Sequence, residues 1–293
     1  MRNSSGILSG LIGVVIFSGS LPATKLAVAS FSAAELTCLR AAIAGAIAAI
    51  ILVWGGDQLP TKKHLRPICI IAFGAVWGFP FLTGFALTKV STVHSLVFIG
   101  LMPLATALFA RVKEREEVSG LFWFFATLGS AFVASYALYR GGALFSLADF
   151  YLLSAVCICG LSYAEGAVLT RSIGGWRAIA WPLVFSLPAS IPLCIVFMPS
   201  SLDHITPLAA MGLAYVSVFS MIIGFVFWYR GLAAGGAATV GQLQLFQPFL
   251  GLLLCTVILN EPFDALAIVA ATGVIACVFF AKKSAATALS QGT

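Results

Sequence analysis

Apolar residues run along this chain in stretches of roughly 20, the length that crosses about 30 Å of hydrocarbon as helix. Ten spans are expected, over residues 6–28, 33–54, 65–88, 92–112, 119–139, 148–171, 177–197, 208–230, 238–258 and 263–282. The runs are continuous and do not alternate with a period of two, which excludes a transmembrane β-barrel. The connections are short; the longest, around GGDQLPTKKHLRP, has no room for a soluble domain. The first run is too long for a cleaved leader and passes into Lys25 without a cleavage site, so it reads as the first span. From Ser284 onward the chain reads as a frayed tail.

The expected spans fall into two related sets. The stretch from Phe73 to Gly120 has a weaker copy from about Tyr215 to Ala265, at an offset of about 145 residues. Leu87 then falls on Leu232, Pro103 on Pro248, Leu108 on Leu253, Val112 on Val257 and Glu116 on Glu261. The expected units are residues 1–140 and 148–284, with 285–293 as the tail. Five spans per unit is an odd number, so the second unit enters the membrane from the opposite side. The fold class expected is an all-α integral membrane bundle of two inverted five-helix repeats. Secondary carriers are often built from such repeats, because two halves that exchange conformations give one state open to each side.

Composition agrees: 61% of the 293 residues are hydrophobic and only 9% charged. The net charge of +6 would suggest an acidic partner, but its distribution explains it. With a cytoplasmic N-terminus, Arg2, Lys62, Lys63, Arg66, Arg111, Lys113, Arg115, Arg171, Arg177, Arg230, Lys282 and Lys283 lie inside. Only Lys25, Arg40, Lys89 and Arg140 lie outside, twelve against four. That is the positive-inside bias; it places both termini in the cytoplasm and requires no nucleic acid. The seven cysteines lie inside apolar runs without metal-site spacing, so no metal and no cofactor are expected.

The segments PLATALFARVKERE (Pro103 to Glu116) and PFLGLLLCTVILNE (Pro248 to Glu261), Arg40 within ELTCLRAAIAG, and Lys25 late in span 1 resemble the drug/metabolite transporter superfamily. The resemblance is to its ten-helix form with paired EamA-type repeats. Within that superfamily the chain is most similar to bacterial exporters of aromatic and other neutral amino acids. The resemblance implies an inner-membrane exporter of such amino acids, with another small metabolite or a lipophilic drug as the alternative cargo. One departure is that Phe185 stands where a second copy of Arg40 would fall, so the halves are functionally unequal.

A carrier site belongs near mid-membrane, where spans are interrupted. Span 3 carries Trp77-Gly78-Phe79-Pro80-Phe81; Pro80 is expected to kink it and the rings to stack on a substrate or fill the core. Span 9 carries Gln242, Gln244 and Gln247, with the last two on one face. Amides suit a zwitterionic head group, or bond neighbouring spans. The offset puts Ile99 and Met102, near Phe98 in span 4, opposite Gln244 and Gln247. One wall is therefore expected to be apolar and the other polar, which suits an amphipathic amino acid. Glu165, beside Ser162 and Tyr163, is the only carboxylate well inside a span; it reads as a coupling group or as a pair with Arg171 or Arg177. Arg40 and Lys25, near Glu35, read as interfacial anchors, an outer gate, or a lure for a carboxylate. His94 reads as a hydrogen-bonded interface residue or a pH sensor.

Glu116 and Glu261 are expected to fix the ends of spans 5 and 10, and Trp228-Tyr229-Arg230 to form an aromatic belt with an anchor. A membrane enzyme is disfavoured because no carboxylate cluster or nucleophile–base set appears. A channel is disfavoured because no repeated filter-like loop appears. The expected partners are the lipid bilayer and a small-molecule substrate. A monomer is expected, with dimerisation through Gly6/Gly10 or Gly74/Gly78 as the alternative.

Overall fold

The computed structural model describes residues 2–114, 120–141, 145–197, 203–235, 240, 242–262 and 265–291. Glu116 lies outside them, and the side chains of Gln242, Arg140 and Pro103 are likewise not described. The described residues form helices and turns, with no strand. Among the described residues, six stretches are long and apolar enough to cross a membrane: Ser5–Ala27, Ala33–Trp54, Lys62–Leu87, Leu147–Ile173, Arg177–Val196 and Pro207–Leu232. These coincide with spans 1, 2, 3, 6, 7 and 8. Interrupted helices occupy span 4 (Thr92–Ile99 and Met102–Glu114) and span 9 (Gln242–Phe246 and Gln247–Leu259), and continuous helices cover span 5 (Gly120–Gly141) and span 10 (Ala265–Gln291). Span 10 continues as helix past Ser284, where a frayed tail was expected; the extra turns are rich in alanine, the best helix former.

The packing pattern is symmetric under exchange of the halves. Span 1 packs along span 8, and its counterpart span 6 along span 3. Span 4 lies against span 6, and span 9 against span 1; spans 2 and 7 pair, as do spans 5 and 10. Turning 1 into 6, 3 into 8 and 4 into 9 maps each pairing onto another or onto itself. In hydrocarbon no hydrophobic force drives such pairing, so small residues that let backbones approach carry it. A Cβ at Gly231 would lie 2.7 Å from the nitrogen of Gly10 and 3.1 Å from the carbonyl oxygen of Gly6. A Cβ at Gly74 would lie 2.7 Å from the carbonyl oxygen of Ile158. Both small-residue motifs are therefore used inside one chain.

The helices are interrupted at equivalent places. Span 3 is π-helical over Ala72–Gly78, and span 8 over Tyr215–Gly224. Span 4 breaks at Gly100–Leu101 and restarts as α-helix at Met102; span 9 is a 3-10 turn over Gln242–Phe246 and restarts at Gln247. Met102 and Gln247 are related by the repeat offset, and a proline follows each. The sequence attributes the irregularity of span 3 to Pro80. The π stretch lies in the turn that Pro80 disturbs, but span 8 has the same stretch with Phe225 in the proline's place, so a proline is not required for it.

Capping fixes the ends on the face away from the N-terminus, called here the far face. Ser32 accepts from the Glu35 amide while the Glu35 carboxylate accepts from the Ser32 amide, and Ser146 with Asp149 repeats the arrangement.

Candidate functional site

A cavity lies between the two halves, at the interrupted parts of the spans. Its walls come from spans 1, 2, 3, 4, 6, 8 and 9 and include Arg40, Phe79, Ile99, Met102, Tyr163, Phe225, Gln244 and Gln247. The restarts of spans 4 and 9 place Ile99 and Met102 on one side of the symmetry and Gln244 and Gln247 on the other, so an apolar wall and an amide wall enclose one space. Ala75 and Ser220, also repeat-related, line it from the two π-helical stretches. Ser220 exchanges a hydrogen bond of 2.7 Å with Ser20 of span 1. The free volume is about 30 Å3, room for about one water. The site is contracted, and a solute larger than a water enters only when the spans separate.

Of the residues singled out from the sequence, the cavity gathers Arg40, Phe79, Met102, Tyr163, Gln244 and Gln247. The others lie elsewhere. Trp77 is half-buried against the core and Pro80 is buried in span 3. Phe98 is fully buried, tilted against His94 with ring centroids 5.3 Å apart. His94 Nε2 meets the carboxylate of Asp149 at 2.6 Å, both groups buried. Asp149 was not singled out from the sequence; its Ser-x-x-Asp capping pattern was the available signal. Lys25 Nζ donates to the carbonyls of Leu87 (2.6 Å) and Val90 (3.2 Å), closing the C-terminal end of span 3.

Arg40 corrects the interfacial reading. It follows the N-cap Ser32 by eight positions, about 12 Å along the helix, and is 5% exposed. Its Nη2 donates to the Val216 carbonyl at 3.3 Å, within the π stretch of span 8, and its Nε is buried without a partner. Trp228 and Tyr229 correct the aromatic-belt reading. They are 2% and 0% exposed and close the cavity on the N-terminal side together with Phe17, Tyr163 and Phe225, in edge and tilted contacts. Trp228 Nε1 and Tyr229 Oη are buried without partners.

Glu261 fixes a span end through helix N-terminal amides, at span 4. Asn260 takes the left-handed conformation (φ 51°), which turns the chain so that the Glu261 carboxylate accepts from the amides of Thr92 and Val93 at 3.0 and 3.1 Å. The second half thus holds the start of span 4 in the first half. The His94–Asp149 pair is a second link between the halves at the far face, and the Lys25 cap joins spans 1 and 3 there.

A larger cavity, about 550 Å3, opens toward the N-terminal face between spans 3, 4 and 6, with Lys63, His64 and Arg66 around it and Glu165 on its wall. Arg177, one expected partner of Glu165, pairs with Asp57. This larger space is walled by spans 3, 4 and 6 alone; we place the candidate site at the smaller cavity, where the interrupted spans converge.

A bundle of apolar spans in two related sets, with polar side chains gathered where the helices break, defines a multi-pass membrane transporter. The profile of the EamA-like transporter family matches residues 4–137 and 146–282, and the chain belongs to that family. It is 50% identical over 284 residues to the uncharacterized transporter YdeK of Bacillus subtilis (strain 168), covering 97% of this chain and 99% of that one. It is 24% identical over 247 residues to the uncharacterized transporter YyaM of the same organism, 78% of each. A solved crystal structure superposes with a TM-score of 0.66 at 19% identity, over 97% of this chain and 99% of that chain; at that identity the likeness concerns the fold alone.

Proposed function

We propose that this transporter exports aromatic and other neutral amino acids across a bacterial plasma membrane by alternating access. The observation that carries the reading is the division of the central cavity. Gln244 and Gln247 face one side, while Ile99, Met102, Phe79 and Phe225 supply apolar surface. An amphipathic solute with a polar head and an apolar side chain matches that division, because each buried amide costs free energy unless hydrogen-bonded. The interruption of spans 3, 4, 8 and 9 around the cavity supports its use as the transport site. The ties of Glu261, Lys25 and the His94–Asp149 pair support a far-face gate that opens when the halves exchange conformations. The distribution of lysine and arginine supports cytoplasmic termini. The internal use of both small-residue motifs supports a monomer.

The test is counterflow in liposomes holding the purified protein, using labelled phenylalanine, tryptophan, methionine and threonine. Saturable uptake stimulated by internal unlabelled amino acid is expected. Replacing Gln244 and Gln247 by Leu is expected to abolish it while leaving the protein folded. Undiminished counterflow in that double variant would sink the assignment of the amide wall to the substrate head group.

A further inference from the structure

Among the described residues, Arg40 is a cation without a counter-ion. Its guanidinium lines the central cavity, yet among the described residues no Asp or Glu lines that cavity with it. The carboxylates that might have served are engaged elsewhere: Asp149 with His94, Glu261 with the amides of Thr92 and Val93, Glu35 with Ser32, and Asp57 with Arg177. Glu165 faces the other cavity. Of five N–H donors, the group uses Nη2 on one carbonyl and leaves Nε buried and unpaired. A buried unpaired ion is costly, and the cost falls when an anion arrives with matching geometry. A guanidinium fork matches a carboxylate through two parallel hydrogen bonds, which a lysine cannot reproduce.

We propose that Arg40 is the anchor for the carboxylate of the cargo, so that the transporter takes small monocarboxylates with an apolar body and rejects amines and neutral lipophiles. This rests on the reading of the central cavity as the transport site. Within it, Gln244 and Gln247 are left for the remainder of the head group, and Phe79, Tyr163 and Phe225 for the side chain. Only one half of the chain supplies the anchor, since Phe185 stands at the equivalent position. The carboxylate is therefore held by the first half throughout the cycle while the second half moves past it.

The experiment compares wild type, Arg40→Gln and Arg40→Lys in liposomes and in detergent. Phenylalanine, phenylalaninamide and phenethylamine serve as competitors, and ligand-induced thermal stabilisation is a second readout. Phenylalanine is expected to compete and to stabilise, and the two analogues that lack a carboxylate to do neither. Arg40→Gln is expected to weaken phenylalanine binding by about 30-fold or more while unfolding at the same or a higher temperature, because an unpaired charge has been removed. Arg40→Lys should restore the charge but not the affinity. A purely structural role for the Val216 contact would lower the unfolding temperature and affect all ligands alike, and that result overturns the proposal. Equal competition by phenethylamine overturns it as well. If phenylalanine is not carried but benzoate or a 2-hydroxy acid stabilises the protein through Arg40, the amino-acid reading falls and the anchor stands. If phenylalanine is carried with an unchanged KM in Arg40→Gln, the anchor falls and the amino-acid reading stands. No stabilisation by any of these carboxylates overturns the anchor.

Discussion

Replacing Gly231 by alanine tests a close backbone approach between spans 1 and 8. A Cβ there would lie 2.8 Å from the Cα of Gly10, where carbon atoms pack at about 3.5–4.0 Å. The opposing atoms are backbone, so no rotamer change relieves the clash, and spans 1 and 8 must part by roughly 1 Å. That separation strains packing along the pair, at about 1–3 kcal/mol. It also stretches the Ser20–Ser220 bond from its 2.7 Å beyond hydrogen-bonding reach, for a further ~1 kcal/mol. Alanine's better helix propensity returns up to about 1 kcal/mol. The net loss of about 1–3 kcal/mol corresponds to a fall in unfolding temperature of roughly 3–10 °C. Unfolding in detergent can be followed with a thiol-reactive dye, because Cys38, Cys159, Cys255 and Cys277 are free and buried. Gly120→Ala, with nothing within 4 Å of the new Cβ, is the control and should leave the temperature unchanged or slightly higher. Transport should fall in Gly231→Ala, because spans 1 and 8 both wall the cavity. Unfolding within 1 °C of wild type, with transport intact, would refute the close backbone approach.

Two further outcomes follow from buried polar groups. Tyr229→Phe removes a hydroxyl that is buried without a partner and should raise stability by about 1 kcal/mol; a clear loss in the same dye assay would mean that Oη is bonded. Asp149→Asn leaves the shape of the cap but discharges the group facing His94 and should cost about 2–3 kcal/mol. It should also make the far face more accessible, read as faster labelling of a cysteine placed at Thr92; unchanged stability and labelling would show that the pair does not tie that face.

The spans were legible because runs of apolar residues answer directly to bilayer thickness. The repeat was legible because Pro103 and Pro248 share a register with several apolar positions. That register also placed Ile99 and Met102 against Gln244 and Gln247. What escaped was depth and partnership. Arg40 lies only eight residues from a cap and looked interfacial; its burial depends on span 8, which is remote in sequence. Trp228 and Tyr229 precede Arg230 like a belt, yet both are buried against spans 1 and 6. The π stretch of span 8 has no proline to announce it. Asp149 looked like an ordinary cap, and only the packing of span 6 on span 4 reveals its second partner.

The paired π stretches also bear on ancestry. This conformation is rare, yet it occupies positions in spans 3 and 8 related by the same offset that aligns the prolines. Two separate insertions landing at one place are a poorer account than a single one, fixed in a five-helix ancestor and copied when the gene doubled. Arg40, Gln244, Gln247 and Pro80 have no twin in the other half, so they diverged after that event. The backbone of the bundle is therefore older than the chemistry of its cavity, and relatives should share the first more widely than the second.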